Sequence, residues 1–159
     1  MGPRIRGMNP AMTLLVATVI VHDRTSDTLL LIQRGRGNAF GAGLWDLPGG
    51  KREPDEPVTE TAVREVAEET GVRLRPEALE VAHLVHGRTA TTAPDGFLTV
   101  VFAAHEWTGT PRNREPEKHA RVEWVPASRV PAAFVPGSRA ALDGYLGDGP
   151  RLTLRGWSG

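Results

Sequence analysis

Between Gly50 and Val72 the chain reads GKREPDEPVTETAVREVAEETGV, and no other stretch restricts its fold as much. The first half is a loop punctuated by glycine and proline. The second half has the pattern of a helix with two unlike faces. Glu65 pairs with Glu69 at i,i+4 and with Glu68 at i,i+3, so three carboxylates share one face. Ala62, Val63, Val66 and Ala67 make a narrow stripe of small apolar residues on the other. Such a helix lies close to a sheet and holds mutually repelling acids in fixed positions. No lysine is interleaved to relieve the repulsion. A solvated acidic face is the ordinary reading of three glutamates alone. A hard divalent cation, which prefers oxygen ligands, would remove the repulsion instead. Gly71 stands where a helix end calls for positive φ. Pro57 suits the first turn, and Glu56 and Glu60 favour that end through the helix dipole.

Composition narrows the classes. A chain of 159 residues suffices for one domain with a real core. Formal net charge is zero, which argues against a binder of nucleic-acid polymers. Cysteine is absent, so disulfides, thiolate metal sites and cysteine nucleophiles are excluded. The longest apolar run, Leu14 to Val21, is far too short to span a membrane. Arg4 and Arg6 are not followed by the apolar core of a signal peptide, so a cytoplasmic enzyme is expected. Residues 1–11 read as a flexible tail, 12–147 as a single domain and 148–159 as a C-terminal tail.

The rest of the chain supplies a sheet. Thr13 to His22 is β-branched and apolar, a strand expected to be buried on both faces. Thr28 to Arg34 is a second strand, and the two read as a hairpin. Gly35 to Gly43 is a loop with one aromatic residue, Phe40, and Leu44 to Leu47 is a short strand. Strands are expected again at Ala78 to Arg88, Phe97 to Trp107 and Arg121 to Val125. Thr89 to Gly96 is expected as a turn-rich loop, and Ser138 to Leu146 as a helix. The fold class is α/β, with helices on both faces of a mixed sheet. The five histidines share no metal spacing and read as structural.

Gly50, Glu56, Arg64, Glu65, Val66, Glu68, Glu69, Gly71 and Val72 match every specified position of the Nudix box. The chain therefore resembles the Nudix hydrolase superfamily, and LWDLPGG before the box resembles the strand and turn that precede it in many members. The resemblance implies a Nudix-type α/β/α sandwich and hydrolysis of a diphosphate linkage assisted by Mg2+, with Mn2+ as the alternative. The cation neutralises phosphate charge, polarises a P–O bond and activates water. Carried over residue by residue, Glu68 and Glu69 are primary metal ligands, Glu65 is a third ligand or the general base, and Gly50 offers its carbonyl. Arg64 orients a carboxylate, and Glu56 ties loop to helix.

Residues 113–124 (NREPEKHARVEW) resemble a segment of MutT-like members that act on nucleoside triphosphates, with Val122 in place of that subgroup's first tryptophan. This adds Glu117 as a candidate ligand and Glu115 as a substrate contact. Arg34, Phe40, Trp45 and Phe134 complete the expected substrate pocket, Phe134 by stacking on a base, with packing in the core as the alternative for Trp45 and Phe134. The expected partner is a small-molecule nucleotide or other diphosphate, with no nucleic-acid polymer and no membrane, in a monomer or homodimer. ADP-ribose, a nucleotide sugar or an isoprenyl diphosphate stands as the alternative substrate, and a non-catalytic binding module as the alternative class.

Overall fold

The long apolar run becomes β1 (Leu14–Asp23), and it has neighbours along both edges. The structure is a computed structural model that describes residues 9–158. β4 (Gly49–Lys51) runs antiparallel to β1 from Val16↔Lys51 to Thr18↔Gly49. β6 (Ala93–Ala104) runs parallel to it from Leu14↔Phe97 to Val21↔Ala104. β5 (Glu80–Thr89) then pairs antiparallel with β6, and β8 (Leu152–Arg155) closes that side in parallel with β5. β2 (Thr28–Arg34) carries β3 (Trp45–Asp46) on one edge and β7 (His119–Pro126) on the other, both antiparallel.

The expected hairpin of the first two strands exists only at its mouth. β1 and β2 pair at His22↔Leu29 and Asp23↔Thr28, then diverge. The turn is tight because Asp27 takes a left-handed φ of 53° and Asp23 Oδ1 accepts the N–H groups of Thr25 and Ser26. Beyond it each strand finds better partners, and the mixed sheet splays into two connected wings.

Period-2 alternation sorts the core into two layers. On one face Ala17, Val19 and Val21 of β1 meet Ala62 and Val66 of α1 (Val58–Thr70), together with Val100 and Phe102 of β6. On the other, Ile20 and Val101 meet Ala141 and Leu142 of α2 (Pro136–Leu146). This is the α/β/α sandwich, with one helix on each face. Val66 is fully buried, a contribution of about 1.5–3 kcal/mol for a side chain of that kind. α1 ends as its sequence requires: Gly71 adopts φ 76° and its N–H returns to the Ala67 carbonyl. At the other end Pro57 is the N-cap rather than the first helical residue.

Two boundaries differ from the sequence reading. The turn-rich loop from Thr89 contracts, because Thr89 Oγ1 accepts the N–H groups of Thr92 and Ala93 and lets β6 begin at Ala93. Residues 148–159 are not simply a tail, since they contain β8. Leu152 and Leu154 are half or more exposed, so apolar burial does not explain this strand. Backbone pairing with β5, beginning with Leu84 N–H to the Arg151 carbonyl, does. Residues 1–8 of the expected N-terminal tail lie outside the described residues, and residues 9–11 are exposed without regular structure.

A buried histidine locks β8 in place. His83 is 2% exposed and its Nε2 lies 2.7 Å from Thr153 Oγ1. We expect Thr153→Val to cost about 1–3 kcal/mol, because it strands a buried ring nitrogen, whereas Thr153→Ser keeps the bond. A lower denaturant midpoint at unchanged slope reports this. Burial also holds the His83 and His105 pKa values below the ordinary 6.5. The unfolded chain therefore binds protons that the native state refuses. This contribution is complete above about pH 6.5 and is lost as pH falls through the depressed native values. Melting temperature against pH checks the sign.

Candidate active site

The two glycines before the acidic helix are there for lack of room. β4 is wedged between β1 and α1. A Cβ on Gly49 would collide with the Ala17 carbonyl and with Thr18, and one on Gly50 would collide with the Glu65 carboxylate. Without side chains the strand backbone comes up against the acids of α1.

Arg64 binds the loop to the helix. Its Nε donates to Glu56 Oε2 at 2.7 Å and its Nη2 to Glu56 Oε1 at 3.0 Å, a bidentate fork. Nη2 also reaches the Lys51 carbonyl at 3.0 Å, and Nη1 reaches Glu65 Oε1 at 2.9 Å and Glu68 Oε2 at 3.3 Å. Glu56 further accepts from Thr61 Oγ1 at 2.7 Å and from the Glu53 N–H at 3.2 Å. The Arg64 hydrogen bonds, with Thr61 next, hold the Glu56 carboxyl at about 2. In turn Glu56 pushes the Arg64 guanidinium further above its already high value.

Glu69 is in the opposite state. It is 5% exposed, its Oε2 is buried without a hydrogen-bond partner, and His119 Nε2 stands 3.9 Å from that oxygen. Burial, and then the neighbouring Glu65 carboxylate, raises the Glu69 pKa to about 9, with Asp46 adding in the same direction. Asp46 is itself pushed up to about 6 by burial, against the Ser138 hydroxyl, the Leu47 N–H and Arg34. A buried carboxylate such as Glu69, with one oxygen short of a donor and other acids close by, fits a hard divalent cation, which neutralises both the charge and the bare oxygen.

The C-terminal end of α1 is closed by the loop between β6 and β7. Arg112 N–H reaches the Thr70 carbonyl at 2.9 Å and Arg114 N–H the Glu69 carbonyl at 3.2 Å, taking up carbonyls that a helix end leaves free. Asn113 organises this loop, its Nδ2 donating to the His119 carbonyl at 2.8 Å and its Oδ1 accepting the Glu115 N–H at 3.2 Å.

The residues singled out from sequence scatter over this frame. Gly50, Arg64, Glu65, Glu68 and Glu69 come together. They do not stand as a finished ligand set: among the described residues no three carboxylate or imidazole groups converge as metal ligands. Arg64 holds the Glu65 and Glu68 carboxylates in this arrangement. Glu117 is exposed. Glu115 is half-buried and accepts from Lys118 Nζ at 3.0 Å. Arg34 and Phe40 do meet: the guanidinium carbon lies 5.5 Å from the ring centroid and Nε donates to the Phe40 carbonyl at 2.9 Å. Phe40 is 60% exposed, an aromatic face open to solvent.

For Trp45 and Phe134 the structure favours the core over the expected pocket. Both are buried in the α2-side core, because Trp45 N–H bonds the Ala133 carbonyl and Val135 N–H bonds the Trp45 carbonyl, turning the two rings inward. Phe134 has no face left for stacking on a base. Two residues were missed. Asp46 carried a signal, its place in the strand just before Pro48-Gly49-Gly50. His119 carried none, since its approach to Glu69 depends on how the loop folds back.

A model of the NUDIX domain matches residues 12–145. A Mycobacterium tuberculosis (strain CDC 1551 / Oshkosh) protein named "Putative 8-oxo-dGTP diphosphatase 2" is 35% identical over 133 residues, covering 81% of this chain and 83% of its own. A Bacillus subtilis (strain 168) protein named "Putative 8-oxo-dGTP diphosphatase" is 30% identical over 112 residues, 64% of this chain. That match spans 63% of the Bacillus protein, less than two thirds of its length. Among solved structures, a MutT NUDIX hydrolase from Burkholderia pseudomallei superposes with a TM-score of 0.73 at 29% identity, covering 83% of this chain and 97% of that one.

The Glu56–Arg64 fork fixes the guanidinium that positions both Glu65 and Glu68, so Glu56→Gln should weaken divalent-cation binding about tenfold, as loss of a group behind the ligands commonly does. Calorimetric titration with Mg2+ reads this. The depressed Glu56 pKa stabilises the native state fully above the ordinary 4.5 and ceases to do so as pH falls through about 2. The parent's acid transition should therefore move to higher pH in the variant.

Proposed function

The chain belongs to the NUDIX family, and from that membership we propose that it hydrolyses a nucleoside triphosphate to the monophosphate and pyrophosphate with the help of Mg2+ or Mn2+. The observation that carries the reading is the buried, unpartnered Glu69 oxygen beside Glu65, on a helix packed against a glycine strand. Glu68, Glu69 and the Gly50 carbonyl hold the cation in this reading, with Glu68 giving up Arg64. A divalent cation supplies charge neutralisation for the phosphates and Lewis acidity toward their oxygens.

The chain's own groups do the rest. Glu65, oriented by Arg64 at 2.9 Å, takes a proton from the attacking water. Water oxygen bonds to phosphorus, a bridging P–O bond breaks, and pyrophosphate leaves with the electron pair. Arg34 meets a phosphate or holds Phe40, whose exposed ring offers a platform for a base. Two relatives carry names for an oxidised guanine nucleotide, and that triphosphate is the first candidate. The enzyme acts on small nucleotides, in keeping with its zero net charge, and works in the cytoplasm as a monomer or homodimer. Among the described residues no helix is long and apolar enough to cross a membrane.

A panel of ordinary and oxidised nucleoside triphosphates, ADP-ribose, nucleotide sugars and isoprenyl diphosphates tests this, with phosphate and pyrophosphate release scored separately. Pyrophosphate from one triphosphate well above the others is the expected result; turnover of a nucleotide sugar or ADP-ribose alone would sink it. Glu69→Gln should lower turnover about a hundredfold or more. The same variant removes a buried repulsion, so its melting temperature in metal-free buffer should equal or exceed the parent's.

A further inference from the structure

We propose that Asn38 is a positioning residue for substrate: its side-chain amide fastens the loop that carries Phe40 to the chain entering β7, and so holds the Phe40 ring in a set place relative to the acids of α1. This rests on the nucleotide reading given above and adds to it a residue that acts through its neighbours.

Residues 36–40 are exposed except for Asn38, which is half-buried. Its Nδ2 donates to the Lys118 carbonyl at 2.8 Å and to the Gly35 carbonyl at 3.0 Å. Both partners are acceptors, so only the NH2 end of the amide can face them. The Gly35 N–H donates to the same Lys118 carbonyl at 2.8 Å, which engages both lone pairs of that oxygen. A Cβ on Gly35 would stand 3.0 Å from it, so glycine admits the approach. Among the described residues no other hydrogen bond joins residues 36–42 to the segment around Lys118.

Lys118 is where two segments meet. Arg34 and His119 are cross-strand partners of β2 and β7, at an irregularity in the register between Gln33 and Arg34. Bulges of this kind re-aim side chains beside sites. On one side of this pair His119 faces Glu69 at 3.9 Å. On the other, Arg34 donates through Nε to the Phe40 carbonyl and places its guanidinium over the ring. The clasp thus ties the exposed ring to the segment that closes α1. A loop already pinned in its binding geometry spares the substrate the cost of ordering it. The acids do not depend on the clasp. Glu65 and Glu68 are held by Arg64, and the loop before β7 is anchored to α1 through the Arg112 and Arg114 N–H groups. Loss of the clasp therefore weakens substrate binding and leaves the chemical step alone.

The test compares the full chain with Asn38→Ala, Asn38→Asp, Phe40→Ala and the double variant Asn38→Ala with Phe40→Ala, in Mg2+, on the triphosphate that the substrate panel ranks first. Asn38→Asp keeps the shape and turns the donor into an acceptor aimed at two carbonyls. The expected result is a KM raised about tenfold in Asn38→Ala and at least as much in Asn38→Asp, with kcat and the Mg2+ dissociation constant within about twofold of the parent. Phe40→Ala should raise KM as well. Adding Asn38→Ala to it should then raise KM by less than about threefold, because residues that act as one unit do not add. An unchanged KM in both Asn38 variants overturns the inference and leaves the nucleotide reading intact. So does the full tenfold rise on top of Phe40→Ala, since Asn38 would then not act through the ring. A fall in kcat or in Mg2+ affinity would make Asn38 a support of the metal niche and also overturn it. An unchanged KM in Phe40→Ala overturns it however the Asn38 variants fold. A parent that turns over no triphosphate overturns both readings.

Discussion

One guanidinium holds the site together. Arg64 reaches back across the loop to Glu56 and the Lys51 carbonyl, and along its own helix to Glu65 and Glu68. The fork on Glu56 is what fixes the loop that follows β4, and β4 is what brings the Gly49–Gly50 backbone against the acids. Without a planar, permanently charged group at this point, four carboxylates would crowd around one loop with nothing to separate them. The arrangement leaves Glu56 fully ionised and satisfied, while Glu69, out of Arg64's reach, bears the unrelieved charge.

That division depends on how closely the layers pack. β1 is buried on both faces and hydrogen-bonded along both edges, so it serves as the reference for everything else. α1 presses on it through Ala62 and Val66, and β4 slips in beside it because its two glycines present no Cβ. The desolvation that raises Glu69 comes from the same close packing that stabilises the core. A niche whose chemistry suits a divalent cation is thereby built from the fold's own tendency to exclude water. The loop from Arg112 to Lys118 completes it, capping α1 and delivering His119 from the far side.

Much of this was legible in the chain. The pairing of a narrow apolar stripe with three acids on α1, the loop glycines and the αL glycine at position 71 are local patterns, each set by steric or electrostatic rules that act over a few residues. The two-face burial of β1 was readable for the same reason. What failed to read was long-range. The first hairpin opens because strands distant in sequence compete for its edges. β8 forms because β5 has an edge left to pair, although its own leucines stay exposed. Trp45 and Phe134 turn inward because their backbones bridge each other across nearly ninety residues of chain.

The sequence by itself determined the chemistry on offer: which acids share a face, where the backbone has to be bare, and that no thiolate takes part. Spacing along a helix is a local property, so the residues themselves carry it. Only the tertiary structure decided which of those acids is driven out of water, which one Arg64 satisfies, and that an imidazole from β7 comes to face Glu69. Burial and charge proximity are properties of packed surfaces, and no local pattern contains them.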